Sequence, residues 1–399
     1  MADADEAALL VADRLRDPGV VVAATASPGS LASGLAGTAL LHACLARHHA
    51  RFAEAAREHW RVAAQHPTAP DGVYTGPGGL AASLILGAPY MPDPDVHRPA
   101  VARAAAWLSA RARGVAEHQR RRTRPGAPWA VYDTIKGLAG IGRILLAAQQ
   151  SGHDTEHGLT AVLTTLATLV SADDQDRPGW WLPADEHPVP VPPPGAATTG
   201  MAHGIAGPLA LLSTAHASGR TVPGQVDAIR TAADWLTTRQ ESEGSWPPHI
   251  PEPSGAPPGR RHAWCYGTPG IAAALIAAAE ALNDDKPRRV AVHALDELAA
   301  THVAAWDTEG PTFCHGTAGI LHASRRLGHY RLADRATAAT LAAFDHGHPY
   351  GIARVEHGRL LHEPGLLAGA SGTALVLADF AGLLPRGKSG SWDSVMLLS

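Results

Sequence analysis

The sequence predicts an all-α fold, built as a closed double ring of seven inner and seven outer helices. Three observations predict it. Strand signals are scarce: Phe, Tyr and Trp make up 5% of the 399 residues, and β-branched alternation is rare. Long segments rich in Ala, Leu and Arg carry apolar residues three and four apart, as in Arg51–Gln65, Val101–Arg113, Gly224–Arg239 and Leu332–Phe344. A short pattern of Gly, two residues, Gly and then an apolar run occurs seven times.

Taken in order, the pattern begins at Gly34, Gly76, Gly137, Gly204, Gly267, Gly316 and Gly369. Successive first glycines are 42, 61, 67, 63, 49 and 53 residues apart, enough for an outer helix, a loop and an inner helix. One such pair of glycines means nothing; seven at quasi-regular spacing mark a repeat. A helix in a crowded interior needs close approach at its start, which Gly permits. One helix pair cannot bury its apolar face alone, whereas seven closed into a ring bury them all. The inner helices then start at one mouth, with their N–H groups and positive dipole ends facing it. For most of these glycines packing alone is the expected role.

Composition excludes several classes. Hydrophobic residues at 45% provide a core and exclude wholesale disorder. A net charge of −4 disfavours a nucleic-acid partner. Charged residues, Gly or His interrupt every apolar run, so direct membrane insertion is not expected. The start, Met1 to Arg16, lacks the basic and apolar regions of a secretory signal. Three cysteines exclude a disulfide scaffold and suit a reducing cytoplasm.

The expected organisation is a single domain over 1–399. Two Pro-rich stretches, Ala172–Thr199 and Glu243–Arg260, read as rim loops over the mouth. Residues 84–130 form a candidate inserted subdomain, and residues 385–399 a mobile tail.

The chemistry sits just upstream of the repeat glycines. Repeat five reads Trp264-Cys265-Tyr266-Gly267 and repeat six reads Phe313-Cys314-His315-Gly316. Two of three cysteines therefore share one register in consecutive repeats. They are either small buried thiols or, with His315, three ligands of a zinc ion. Helix starts favour thiolate, and three protein ligands leave one position for a substrate. A thiolate-rich site suits a substrate thiol. The third cysteine, Cys44, lies in an apolar helical run and reads as core.

His203 precedes Gly204 in the register of His315. It reads as a catalytic acid/base or hydrogen-bond donor, a fourth ligand, or packing. Asp133 lies four residues before Gly137, where a helix cap and a functional carboxylate are equally compatible. Arg261, alone, reads as a solvated rim charge. The run Arg120-Arg121-Arg122 with Arg124 reads as solvated surface, with peptide docking as the alternative.

These residues together resemble a family. The W-C-Y-G and C-H-G motifs at Trp264–Gly267 and Cys314–Gly316, His203-Gly204, Tyr132-Asp133 and the seven glycine motifs are similar to the LanC-type lanthionine synthetase cyclases, from about Gly34 to Phe380. The resemblance implies an α/α toroid with Zn2+ held by Cys265, Cys314 and His315. It implies active-site roles for His203, Asp133 and Arg261. It also implies a small subdomain inserted in the toroid, for which 84–130 is the counterpart here. Only 33 residues precede the first repeat, so the expectation is a stand-alone cyclase. Its partners would be a dehydrated precursor peptide, a separate dehydratase and an exporter, through which it would meet the membrane.

The chemistry so implied is addition of a peptide Cys thiolate to dehydroalanine or dehydrobutyrine, giving a thioether ring. His203 would protonate the enolate, Asp133 would orient His203, and Arg261 would stabilise the enolate oxygen or position Asp133. Alternatives are a glutathione-adding relative, a prenyltransferase-like zinc enzyme on an α/α barrel, and a non-catalytic scaffold with a structural zinc. A carbohydrate-active toroid would want paired acidic residues and leaves the cysteine register unexplained.

Overall fold

The computed structural model describes residues 3–67, 69, 72–174, 177–241, 243–252, 261–306, 308–385 and 391–399. Every one of the seven glycine motifs opens a helix. These helices span Leu35–Leu45, Gly76–Gly87, Leu138–Gln150, Ala206–Ala217, Thr268–Leu282, Thr317–Arg326 and Ala370–Phe380. Leu35–Leu45 is buried at every position, and Ala370–Phe380 is buried over its first nine residues. Each fully buried Leu contributes about 1.5–3 kcal/mol of transfer free energy, so all-round apolar helices are stable only inside.

The helices between them have one apolar stripe. Ala50–Ala63 buries Phe52, Ala53, Ala55, Ala56, His59, Trp60 and Ala63, a spacing of three and four, and leaves its arginines outside. Gln225–Thr237 buries Ala228, Ile229, Ala232, Ala233 and Leu236 in the same way. The amphipathic segments expected from the sequence are thus helices, with ends shifted by a few residues.

The chain divides into two compact units, each assembled from separated stretches. One comprises residues 1–107, 147–154 and 308–395. In it Leu35–Leu45 packs against Ala50–Ala63, Gly76–Gly87 and Ala370–Phe380, and Ala370–Phe380 packs in turn against Thr317–Arg326. The other comprises residues 108–146, 155–307 and 396–399. In it Ala206–Ala217 packs against Thr268–Leu282, and each is backed by the helix that follows it.

Equivalent residues of successive repeats are tied by backbone hydrogen bonds. In the first unit Cys314 N–H donates to Leu367 O (2.8 Å), Leu367 N–H to Ala32 O (3.0 Å) and Ala32 N–H to Tyr74 O (3.0 Å). Each of these four residues stands two before its repeat glycine. In the second unit Ala202 N–H donates to Cys265 O (3.1 Å), again two before their glycines, and Thr134, three before Gly137, donates its N–H to Ala202 O (3.0 Å). The ladder satisfies backbone groups that precede each helix, and it gives the register of the cysteines a structural meaning.

Close approach explains the glycines. Gly267 has φ of 121°, and a Cβ there would collide with the Arg261 carbonyl oxygen. At Gly372 a Cβ would collide with the Leu366 carbonyl in the turn beneath the helix.

The two Pro-rich stretches meet in a small antiparallel sheet. Leu182–Pro183 pairs with Gly195–Thr198, which pairs with His249–Ile250 in the register Thr198↔His249. Residues 253–260 of the second stretch lie outside the described residues. Residues 84–130 contain one long helix, Pro94–Arg120, with the short helices Ala88–Tyr90 and Trp129–Tyr132 at its flanks. The arginine run after it is engaged: Arg120 and Arg121 pair with Glu117, Arg122 with Glu186, and Arg124 with Asp185 and Glu186.

The expectation of a mobile tail over 385–399 is corrected for its described part. Trp392–Met396 forms a 3-10 helix, with Trp392, Val395 and Met396 buried. Asp393, fully buried, accepts from His322 Nε2 (2.8 Å) and Arg326 Nε (2.7 Å). Residues 386–390 lie outside the described residues.

Candidate active site and metal centre

Cys265 and Cys314 each sit in the tight turn that opens a repeat helix. They are 2% and 7% exposed, and neither forms a disulfide. Their sulfurs and one His315 ring nitrogen lie within 4.8 Å of one another. Among the described residues this is the one group of three His, Cys, Asp or Glu donors so placed. Cys314 Sγ is 3.7 Å from His315 Nε2. The opposite ring nitrogen, Nδ1, is 3.3 Å from Glu309 Oε2. The donor set of two soft sulfurs and an imidazole fits zinc, which binds thiolate and imidazole together.

Asp133 and His203 meet in a second cluster. His203 Nδ1 is 2.6 Å from Asp133 Oδ2. Asp133 Oδ1 accepts from the backbone N–H groups of Lys136 (2.6 Å) and Gly137 (2.8 Å). The carboxylate therefore closes the turn before Leu138–Gln150 through Oδ1 and meets a histidine through Oδ2. Burial lifts the Asp133 carboxyl above its ordinary value, while His203 and the two N–H groups oppose the lift. With Nδ1–H donating to the carboxylate, Nε2 is the nitrogen left for other work.

Rings surround His203. Trp129 stacks on it at 4.3 Å between centroids and 13° between planes. Tyr266 lies 6.2 Å away, and His249 is 6.1 Å from Tyr266. His187 is 5.0 Å from His249 and 5.5 Å from Trp129, which closes a circuit of five rings. The Tyr132 hydroxyl donates to the His203 carbonyl at 3.0 Å and pins its backbone. Burial pushes the His249 pKa down to about 4, with His187 and His203 adding to the effect, so it is neutral at pH 7. Arg261 is partly buried at the start of the Cys265 turn, its carbonyl beneath Gly267.

Thus the three expected ligands come together, and so do Asp133 and His203. Glu309, Trp129, His187 and His249 were not singled out by sequence reasoning. Trp129 stands four residues before Asp133, a proximity that draws attention only once Asp133 is chosen. Glu309 and His187 sit in loops and His249 in a two-residue strand, all without a repeat register.

The comparisons with known proteins agree on the class. A family model described as lanthionine synthetase C-like protein matches residues 25–396. The chain belongs to that family. A solved structure of nisin cyclase aligns with a TM-score of 0.73 at 18% identity, over 93% of this chain and 92% of that one. The shared fold is the α/α toroid, as expected from the repeats. Among curated proteins the comparison finds no match. No helix among the described residues is long and apolar enough to cross a membrane.

Proposed function

We propose that the protein is a zinc-dependent lanthipeptide cyclase. Its substrate would be a precursor peptide already carrying dehydroalanine or dehydrobutyrine, supplied by a separate dehydratase, and its product a lanthionine or methyllanthionine ring passed on to an exporter. The observation that carries the reading is the Cys265–Cys314–His315 donor group, within 4.8 Å, in a chain whose Asp133 and His203 are joined at 2.6 Å. A reducing cytoplasm is the fitting setting for three cysteines that form no disulfide.

Cys265, Cys314 and His315 would hold the zinc. Bound there, zinc supplies Lewis acidity, which holds a substrate thiol as its thiolate near neutral pH. The substrate sulfur adds to the β-carbon of the dehydro residue, and the π electrons pass to the carbonyl oxygen as an enolate. His203 delivers a proton from Nε2 to the α-carbon, and the thiol proton leaves to solvent. Atoms balance: the ring is an isomer of its precursor. Asp133 keeps the imidazole turned with Nε2 outward and stabilises its protonated form, as a carboxylate does for a catalytic histidine elsewhere. Trp129 excludes water from one face of that ring and fixes its plane. Arg261, at the start of the Cys265 turn, is assigned to the developing enolate oxygen.

Metal content and ring formation test this together. Purified protein should carry one zinc per chain. Cys314→Ala should lose both metal and ring formation, and a metal-free variant that cyclises at the wild-type rate refutes the reading.

A further inference from the structure

We propose that Glu309 and Arg354 are positioning residues that set the affinity of the metal centre. Glu309 would orient His315, and Arg354 would hold Glu309. The inference rests on the reading of Cys265, Cys314 and His315 as a metal site.

Glu309 Oε2 faces His315 Nδ1 at 3.3 Å, while Nε2 of the same ring lies 3.7 Å from Cys314 Sγ. A neutral imidazole has one N–H and one lone pair. A carboxylate 3.3 Å from Nδ1 favours the N–H there, which leaves the Nε2 lone pair on the side of the sulfur. Carboxylates placed on the far nitrogen of a metal-bound histidine fix its tautomer and raise its basicity. The short loop is itself closed, since Glu309 N–H donates to the His315 carbonyl at 2.8 Å.

Arg354 then locks the carboxylate. Its Nε donates to the same Oε2 at 2.7 Å, Nη1 to Glu363 Oε1 at 3.2 Å and Nη2 to Glu356 Oε1 at 2.9 Å. The side chains of Arg354 and Glu309 are 16% and 13% exposed, so the pair is shielded from solvent screening. Arg354 opens the hairpin Arg354–Glu356/Arg359–Leu361, which is docked by Val355 N–H on the Glu309 carbonyl at 3.3 Å. The hairpin thereby reaches His315 through two side chains without contacting a sulfur donor in any described hydrogen bond.

Chelator competition with Zn2+ and the absorption of the Co2+-substituted protein read this without any peptide substrate. Wild type should bind one Co2+ with sulfur-to-cobalt charge-transfer bands. Glu309→Gln should keep the stoichiometry but weaken Zn2+ binding about 10- to 100-fold. Arg354→Met should weaken it in the same direction, and the double variant should be no weaker than Glu309→Gln alone. Glu363→Gln, which touches Arg354 but not His315, should bind within about twofold of wild type. Melting of the metal-free proteins separates misfolding from lost affinity. If Glu309→Gln fails to fold, Arg354→Met alone decides. Wild-type affinity in whichever variant folds overturns the proposal, whereas failure of the wild type to bind metal overturns the metal site itself.

Discussion

Replacing Asp133 by Asn separates the two tasks of this carboxylate. Oδ1 accepts from Lys136 N–H and Gly137 N–H at 2.6 and 2.8 Å, and Oδ2 meets His203 Nδ1 at 2.6 Å. Asn has the same shape. Its carbonyl oxygen keeps both backbone donors, so the turn before Leu138–Gln150 survives. Its amide nitrogen can only donate, and it faces Nδ1. The imidazole must then accept there, and the charged partner of its protonated form is gone. A hydrogen bond to a charged group is worth about 1.5–3 kcal/mol. If that stabilisation is used when His203 transfers its proton, ring closure slows about 10- to 100-fold at 1.4 kcal/mol per decade. Asp133→Ala should in addition cost about 1 kcal/mol of stability, because the acceptor for Lys136 and Gly137 N–H goes too. Cyclisation leaves the mass unchanged, so the assay counts remaining thiols by maleimide capping and mass spectrometry, on a peptide containing dehydroalanine and cysteine. Zinc content and melting temperature are measured alongside. A D133N protein that is folded, zinc-loaded and within about twofold of the wild-type rate refutes the proposed role.

Further predictions follow from other contacts. His203→Asn should retain zinc at wild-type stoichiometry yet slow ring closure, and loss of metal in this variant contradicts the assignment. His42 and His249 are held neutral, at about 3 and about 4, chiefly by burial. Folded values below the unfolded one give stability that is present above about pH 6.5 and lost as pH falls through the folded values. For His249 the full loss is on the order of 3 kcal/mol, so melting scans should fall between pH 6.5 and 4, less steeply in His249→Gln. A flat profile there counts against the burial of both rings. Asp393→Ala strands the buried His322 and removes the carboxylate that the partly exposed Arg326 meets, and should cost about 3–5 kcal/mol in denaturant unfolding. A cost below 1 kcal/mol would mean that the terminal 3-10 helix is not held as described.

Helices are legible in the chain because their signal is local. An apolar stripe such as Phe52, Ala56, Trp60 and Ala63 repeats every three to four residues, and each repeat glycine marks its own helix start. The candidate metal donors are legible for a related reason. Cys265 and Cys314 each stand two residues before a repeat glycine, so the shared register is visible in the sequence itself. Asp133 shows the limit: position alone leaves a cap and a functional group equally compatible, and only the folded chain brings His203 Nδ1 to the carboxylate that also accepts from Lys136 and Gly137 N–H. Glu309 and Arg354 lie 45 residues apart and His203 and Asp133 lie 70 apart. His187 and His249 come from separate Pro-rich loops brought side by side by strand pairing. Pairings of that kind carry no period, and neither does the burial of Trp392 and Asp393 near the C-terminus. Local spacing suffices to write the repeats and to mark Cys265, Cys314 and His315 as candidate donors, whereas Glu309, Arg354 and the rings around His203 meet only when distant loops close against one another.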